Sequence, residues 1–275
     1  MAKSKKRRWF NGVFLVFLFL FLTAWSQVGG LCLLVSMAVY FGWMRSRLHR
    51  RWMTLFFMLT IAAVHALTSI LLIPKLAPLF GRVSIYNKSE QLKPHNFATI
   101  LANRHYLKPG VANAMVFASH RLSKDQFIIF LDAGFPFMDG FPIFPHLGHR
   151  DGRKIDLCFQ YLDNKSGKYS AGAPSVLGYG VYEKPLPNEV DQINQCVKAG
   201  YWQYDPTRYW FTSSNTKKKF SAELTKDLIE SLISSNAKKI FIEPYLKQRL
   251  SLTQSEIRFH GCRAVRHDDH LHVEF

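Results

Sequence analysis

Histidines concentrate in two short windows of this 275-residue chain. Six of the 11 histidines fall within residues 145–159 and 259–275. They are His146 and His149 in PHLGHRDGRKIDLCF, and His260, His267, His270 and His272 in FHGCRAVRHDDHLHVEF. Core packing does not need clustered imidazoles, whereas imidazole is the commonest metal ligand in proteins. The two windows therefore predict a metal site.

The first window combines a histidine with a carboxylate. Gly152 breaks any helix after His149, and residues 155–161 alternate between apolar and polar side chains, which predicts a strand. Asp156 then lies at the start of a half-buried strand, where a carboxylate needs a partner. His149, on the preceding loop, can share a cation with it.

The second window ends the chain with the alternating sequence HLHVEF. In a strand, period two places His270, His272 and Glu274 on one face and the apolar residues between them on the other. Two imidazoles two residues apart on a strand point into the same pocket. Asp268 and Asp269 either orient these imidazoles or solvate a turn.

Together the windows provide the ligands of a catalytic zinc ion. Zinc in a hydrolase commonly takes three protein ligands and leaves a fourth position for water, whose pKa falls to about 7. His149, Asp156 and His272 form such a set, so the predicted cofactor is Zn²⁺. His270 remains beside the water as a catalytic base or transition-state donor.

The HxxxxxxD spacing from His149 to Asp156 and the terminal HxH of His270 and His272 resemble the signature of the LAS metallopeptidases. The closer resemblance is to penicillin-insensitive murein endopeptidases, through His146, Gly152, the trio His267, His270 and His272, and the sequence KIFIEPYLKQRL. The likeness covers residues 132–275. Arg150, Arg153 and Lys154 replace the small and apolar residues that are more usual between the ligands.

This resemblance implies a zinc endopeptidase that cuts D-alanyl to diaminopimelyl cross-links in peptidoglycan, with peptidoglycan peptides as substrate. His149, Asp156 and His272 match the ligands and His270 the catalytic histidine. His146 and His267 match flanking site histidines, either active in the site or supporting the ligands. Alternatives are a D,D-carboxypeptidase or dipeptidase of the same group, and a catalytically silent zinc domain that binds wall peptides.

The elements that must position these residues form an α+β pattern. Helical spacing covers residues 111–122 and 221–235, with Ser221 as N-cap, and apolar runs predict strands at 127–131, 239–242 and 257–259. Helices and strands that do not alternate regularly indicate an α+β domain. With the resemblance, we expect a LAS-like domain with a central antiparallel sheet over residues 83–275.

Residues 1–80 form a predicted all-α transmembrane anchor. Three apolar stretches, 9–25, 28–44 and 52–74, approach the roughly 20 residues that a spanning helix needs. The first stretch could instead be a signal peptide, although Trp25 and Gln27 make a poor cleavage site. Two prolines and a glycine in residues 73–82 predict a stalk after the third stretch.

Basic residues predict the orientation of this anchor. KSKKRR at the N-terminus and four arginines in residues 45–51 favour the cytoplasmic side, whereas residues 26–30 are uncharged. Three crossings then place the domain outside a bacterial cytoplasmic membrane, in the periplasm or its equivalent. A re-entrant hairpin in place of one crossing would reverse this orientation.

Charge argues against nucleic acid as a partner. The first 89 residues hold 12 of the 36 Lys and Arg and no carboxylate, which accounts for most of the formal net charge of +17. The remainder is only mildly basic, and membrane lipid is the expected partner of the N-terminal segment. Outside that segment, Cys158, Cys196 and Cys262 permit at most one internal disulfide: a Cys196–Cys262 pair in an extracytoplasmic domain, or buried free thiols.

Overall fold

The computed structural model describes residues 2–44, 49–143, 147–205 and 217–275. Its N-terminal part consists of three apolar helical segments. α1 spans Ala2–Ser26, and α2 spans Gly29–Val39 and continues as a π-helix over Tyr40–Met44. α3 spans Met53–Leu67, and helical turns, including α4 at Ile73–Leu76, continue it to Phe80.

Only one of these segments is long and apolar enough to cross a membrane, within the described part of the chain. This helix runs over Met53–Phe80, whereas the apolar helices Gly12–Ser26 and Gly29–Gly42 are shorter. Large apolar side chains nevertheless stay exposed along all three segments, for example Phe17, Leu31 and Met58.

The helical segments pack closely on one another and on the domain. A Cβ at Gly29 would lie 2.4 Å from the carbonyl oxygen of Leu22, so α1 and α2 meet where only glycine fits. Asn103 of the domain donates a hydrogen bond to the Ser26 carbonyl at 3.2 Å, and the Phe137 backbone N–H donates to Gln27 at 3.0 Å.

The expected stalk at residues 73–82 is helical up to Phe80 and packs against both parts of the chain. Ile73 and Ala77 are buried in a cluster with Val28 and Cys32 of the anchor and Tyr106 of the domain. The prolines that suggested a linker stand at the first or second positions of α4 and of the 3-10 turn after it, inside the helix that runs to Phe80.

The domain is α+β, as predicted. Its helices are α5 (Phe97–Leu101), α6 (Pro109–His120), α7 (Gln192–Lys198), α8 (Ala222–Ser234) and α9 (Pro244–Arg249). Its strands are β1 (Val83–Ser84), β2 (Leu92–Pro94), β3 (Tyr106–Leu107), β4 (Ile128–Asp132), β5 (Lys154–Cys158), β6 (Tyr161–Asp163), β7 (Lys218–Phe220), β8 (Lys239–Phe241), β9 (Ile257–Arg258) and β10 (His270–Glu274). β1 pairs with β3, and β6 pairs with β7, in two separate two-stranded sheets.

The central sheet has six strands in the order β2-β4-β5-β10-β8-β9. The expectation of an antiparallel sheet is wrong at both edges, because β2 pairs with β4 and β8 with β9 in parallel. Parallel neighbours need a crossover connection, usually through a helix. α5 and α6 lie in the connection from β2 to β4, and α9 lies between β8 and β9. The four inner strands are antiparallel as predicted.

The two faces of the sheet divide between core and site. Leu157, Leu271 and Val273 of β5 and β10 are buried in the main core with Met115 of α6 and Leu228 of α8. Because side chains alternate along a strand, the histidines of β10 lie on the opposite face. The predicted N-cap is confirmed, since Ser221 accepts a hydrogen bond from the Leu224 N–H at 3.4 Å.

Cys196 and Cys262 form a disulfide, with their Cα atoms 5.3 Å apart. Cys32 and Cys158 are buried free thiols. The disulfide ties α7 to the segment before His267 and so fixes one end of the second histidine window.

Arg82, which follows the N-terminal helical segments, contacts the chain on both sides of His149. It is 1% exposed, donates a hydrogen bond to the Asp151 carbonyl at 2.7 Å and pairs with Asp139. The guanidinium lies directly over Gly152, where a Cβ would be 1.8 Å from Nη1. Glycine at position 152 therefore permits both this close approach and a backbone φ of +65°.

We predict that Gly152→Ala destabilises the protein far more than Gly167→Ala. Both glycines have a left-handed φ, +65° and +67°, but a Cβ at Gly167 meets nothing within 4 Å. Gly167→Ala should cost only the backbone strain of about 1–2 kcal/mol. Gly152→Ala should cost a further 1–3 kcal/mol or so, because Arg82 must move. Thermal unfolding of both variants in detergent measures this, and equal losses would contradict the role given to Arg82.

Candidate metal centre

Two of the three predicted ligands face each other across the middle of the sheet. β5 and β10 are adjacent and antiparallel, and their register pairs Asp156 with His272. His149 ends a short 3-10 helix, Leu147–His149, just before β5. All three side chains are buried, with exposures of 0% for His149, 1% for Asp156 and 7% for His272. Residues 116 positions apart in the chain thus meet at one point.

The ligand atoms form a small triangle. Oδ1 of Asp156 lies 3.1 Å from Nε2 of His149 and 2.8 Å from Nδ1 of His272, and the two nitrogens are 3.2 Å apart. Tetrahedral zinc with bonds near 2.0–2.2 Å separates its ligand atoms by roughly 3.3–3.5 Å. Two imidazoles and one carboxylate are also a donor set that zinc prefers. The residues therefore fit a divalent metal ion in spacing and in chemistry.

The carboxylates next to His272 favour its protonated form. Burial lowers the pKa of His272, but its hydrogen bonds to Asp156 and Glu274 outweigh burial and raise the pKa to about 9. Glu274 is held in turn by Lys154 and Lys239, each at 2.9 Å. The triangle thus attracts positive charge, which a proton or a metal ion can supply.

His270 faces the triangle without belonging to it. Its Nε2 lies 3.8 Å from Oδ1 of Asp156, and its Nδ1 contacts the carboxylate of Asp269 at 2.5 Å. Asp269 also accepts a hydrogen bond from the Gly180 N–H at 2.6 Å. Asp269 thereby holds a proton on Nδ1 and turns Nε2 towards the triangle. Of the two readings for Asp269, orientation of an imidazole is the one that the structure supports.

Tyr179 is a site residue that sequence reasoning missed. Its hydroxyl donates a hydrogen bond to Oδ2 of Asp156 at 2.9 Å, and its ring lies against His270 with centroids 5.0 Å apart. Burial raises the pKa of Tyr179 well above its ordinary value, so the hydroxyl stays a donor. Tyr179 comes from an irregular segment with no periodic pattern, and no sequence signal marks it.

The other histidines of the second window gather around the triangle. The ring of His267 lies 5.1 Å from that of His270 and 5.7 Å from that of His272. Burial and these two neighbours lower the pKa of His267 well below its ordinary value, so His267 is neutral. His260 stacks on Phe241 at 4.2 Å and lies 6.0 Å from His272. His146 lies outside the described residues.

A buried polar network fixes the chain segment before His270. Asp268 binds Arg266 through two hydrogen bonds of 2.7 and 2.6 Å and accepts a third from Tyr245 at 2.6 Å. Glu243 accepts hydrogen bonds from the His267 N–H at 3.0 Å and the Tyr204 hydroxyl at 2.5 Å. The imidazoles therefore stand on a backbone that is held at several points.

A cavity of about 430 Å³ opens beside His270. Asp269, Asp132 and Tyr179 line it within the domain, and Trp25 of α1 also contributes to its wall. Asp132 is paired with Arg104, which lines the same cavity. His270 lines this cavity, whereas His149, Asp156 and His272 lie behind it and are not among its lining residues.

Comparison with protein families finds no family model that matches this chain. No curated protein and no solved structure matches it either. The function of the chain is therefore inferred from the geometry of the site and the sequence pattern.

Glu243 supplies a pH-dependent prediction. Burial raises its pKa from 4.5 to about 7, so the folded protein favours the protonated form. Its stabilising effect is complete below pH 4.5 and is lost as the pH rises through 7. Wild-type protein should therefore lose up to about 3 kcal/mol between pH 5 and 8 relative to Glu243→Gln, whose amide does not titrate.

Thermal unfolding across this pH range measures the difference. Glu230→Gln is the matched control, because Glu230 is exposed on α8. If the wild type and Glu243→Gln respond identically to pH, Glu243 is ionised in the folded protein.

Proposed function

We propose that this chain is a membrane-anchored zinc endopeptidase that hydrolyses peptide cross-links of peptidoglycan. One observation carries the proposal: a buried triangle of His149, Asp156 and His272, with Nε2 of His270 turned towards it. A structural zinc site would be closed by a fourth protein ligand. Here three ligands and an oriented imidazole beside an open cavity suit catalysis better.

Each residue of the site would have a distinct role in the reaction. His149, Asp156 and His272 would hold the zinc ion, which supplies Lewis acidity towards a scissile carbonyl and lowers the pKa of water. Nε2 of His270 either accepts a proton from the attacking water or, when protonated, donates to the developing oxyanion. Asp269 stabilises the imidazolium that the first role creates. Tyr179 orients the carboxylate of Asp156 from its far side.

The substrate class rests on the resemblance to LAS metallopeptidases. In carboxypeptidases and dipeptidases of that group, a glutamate stands at the position that matches His270. The histidine in this chain therefore favours an endopeptidase. A mildly basic domain also suits stem peptides, which are rich in carboxylates.

We further propose that all three helical segments lie in a bacterial cytoplasmic membrane with the domain outside it. The exposed apolar side chains of the segments support this, since they cost free energy in water and none in lipid. Basic residues at both proposed cytoplasmic ends support the orientation. The Cys196–Cys262 disulfide agrees with an oxidising compartment.

Histidine variants of the full chain in detergent test the proposal. His270→Ala should keep about one zinc per chain and lose about 10²–10⁴-fold in turnover, because general acid–base catalysis is worth that much. His272→Ala should lose both zinc and turnover. His120→Ala, at an exposed histidine of α6, is the control and should retain both.

Metal analysis and mass identification of products from cross-linked muropeptides provide the readouts. Conversion of dimers to monomers indicates an endopeptidase, and release of terminal D-alanine indicates a carboxypeptidase. Full activity of His270→Ala would contradict the mechanism. Zinc-loaded wild type that forms neither product would indicate a silent binding domain.

A further inference from the structure

The cavity beside His270 has walls from both the anchor and the domain. Trp25, in the last turn of α1, lines the same space as His270 and Asp269 of the site. Trp25 also stacks on His65 of α3, with ring centroids 5.3 Å apart. An aromatic side chain of the anchor thus forms part of the approach to the proposed catalytic histidine.

The cavity has a polar inner end and an apolar mouth. Its polar lining residues Asp132, Asp269 and His270 are only 2–4% exposed. Its apolar lining residues Leu177 and Val265 are 77% and 53% exposed. Val176, next to Leu177, is 87% exposed. Water-facing leucine and valine at the rim of a polar pocket mark a surface that contacts something apolar.

The position of Trp25 sets the level of this mouth relative to the bilayer. Tryptophan at the end of an apolar helix lies at the membrane–water interface. The mouth beside Trp25 therefore opens at the depth of the lipid headgroups. Leu177 and Val265 would then face lipid, while His270 remains in the aqueous interior of the domain.

We propose that the site acts on peptides tethered to the same membrane by a lipid chain. This inference rests on the proposed function and specifies its substrate: the peptide lies along Asp269 and His270, and the first part of the lipid lies against Trp25, Leu177 and Val265. A volume of about 430 Å³ holds a short peptide segment and excludes a folded partner. An amphiphile matches both ends of the cavity, whereas a fully soluble peptide leaves the mouth uncovered.

Photo-crosslinking of the zinc-loaded full chain in lipid nanodiscs tests this without requiring turnover. The probe is a synthetic stem peptide with a diazirine-bearing acyl chain at its N-terminus. Labelling should concentrate at Trp25, residues 176–177 and Val265, and excess unlabelled lipopeptide should compete it. Labelling that is spread along the lipid-facing helices and resists competition would overturn the inference.

A matched pair of variants sharpens the result. Leu177→Asp should reduce the competed labelling about tenfold or more, since it replaces the apolar surface proposed to contact the lipid by a charge. Leu186→Asp is the control, because Leu186 is 53% exposed and does not line the cavity. Equal labelling of both variants would exclude Leu177 from the contact and contradict the proposed mouth.

Hydrolysis in the same nanodiscs separates this inference from the proposed function. The wild type should cleave the acylated stem-peptide dimer with a kcat/KM about tenfold or more above that of the free dimer. Equal rates on both would overturn the lipid-tethered substrate and leave the endopeptidase intact. Competed labelling without any hydrolysis would support the lipid-tethered ligand and refute the endopeptidase.

Discussion

The structure of the domain depends on compensating the negative charge of one buried carboxylate, Asp156. A carboxylate that is 1% exposed loses several kcal/mol of hydration and needs compensating partners. Oδ1 of Asp156 faces His149 and His272, and Oδ2 accepts the hydroxyl of Tyr179. Because these partners come from a loop, a central strand and an irregular segment, Asp156 ties together parts of the chain that are far apart in sequence. A divalent cation would complete the compensation.

The N-terminal helical segments, proposed to be a membrane anchor, also contact this arrangement. Arg82, directly after the last N-terminal helical turn, contacts Asp139 and the Asp151 carbonyl, which comes just before strand β5. Trp25 reaches the cavity beside His270. The domain donates hydrogen bonds to Ser26 and Gln27 and accepts one from His65 at the Leu101 carbonyl, and these bonds hold the helices against it. The N-terminal helical segments and the site are therefore connected through direct contacts.

Local patterns singled out three residues that the fold brings together, His149, Asp156 and His272, but they did not reveal how distant strands pair. Alternation in residues 270–275 placed His270 and His272 on one face, and the cap at Ser221 followed from its residue type. The parallel edges of the sheet depend on crossovers that periodicity does not reveal. Tyr179 acts through tertiary contacts made by a segment without a motif. Sequence alone also left two outcomes for the cysteines, since a disulfide depends on the distance between folded segments.

The central claim is that His149, Asp156 and His272 bind one zinc ion. X-ray absorption spectroscopy at the zinc edge of the purified full chain tests it most directly. We expect one zinc per chain with only nitrogen and oxygen ligands at about 2.0–2.2 Å, including the multiple-scattering pattern of two imidazoles. A sulfur shell at about 2.3 Å, which would assign the metal to a cysteine such as the buried Cys158, would contradict it.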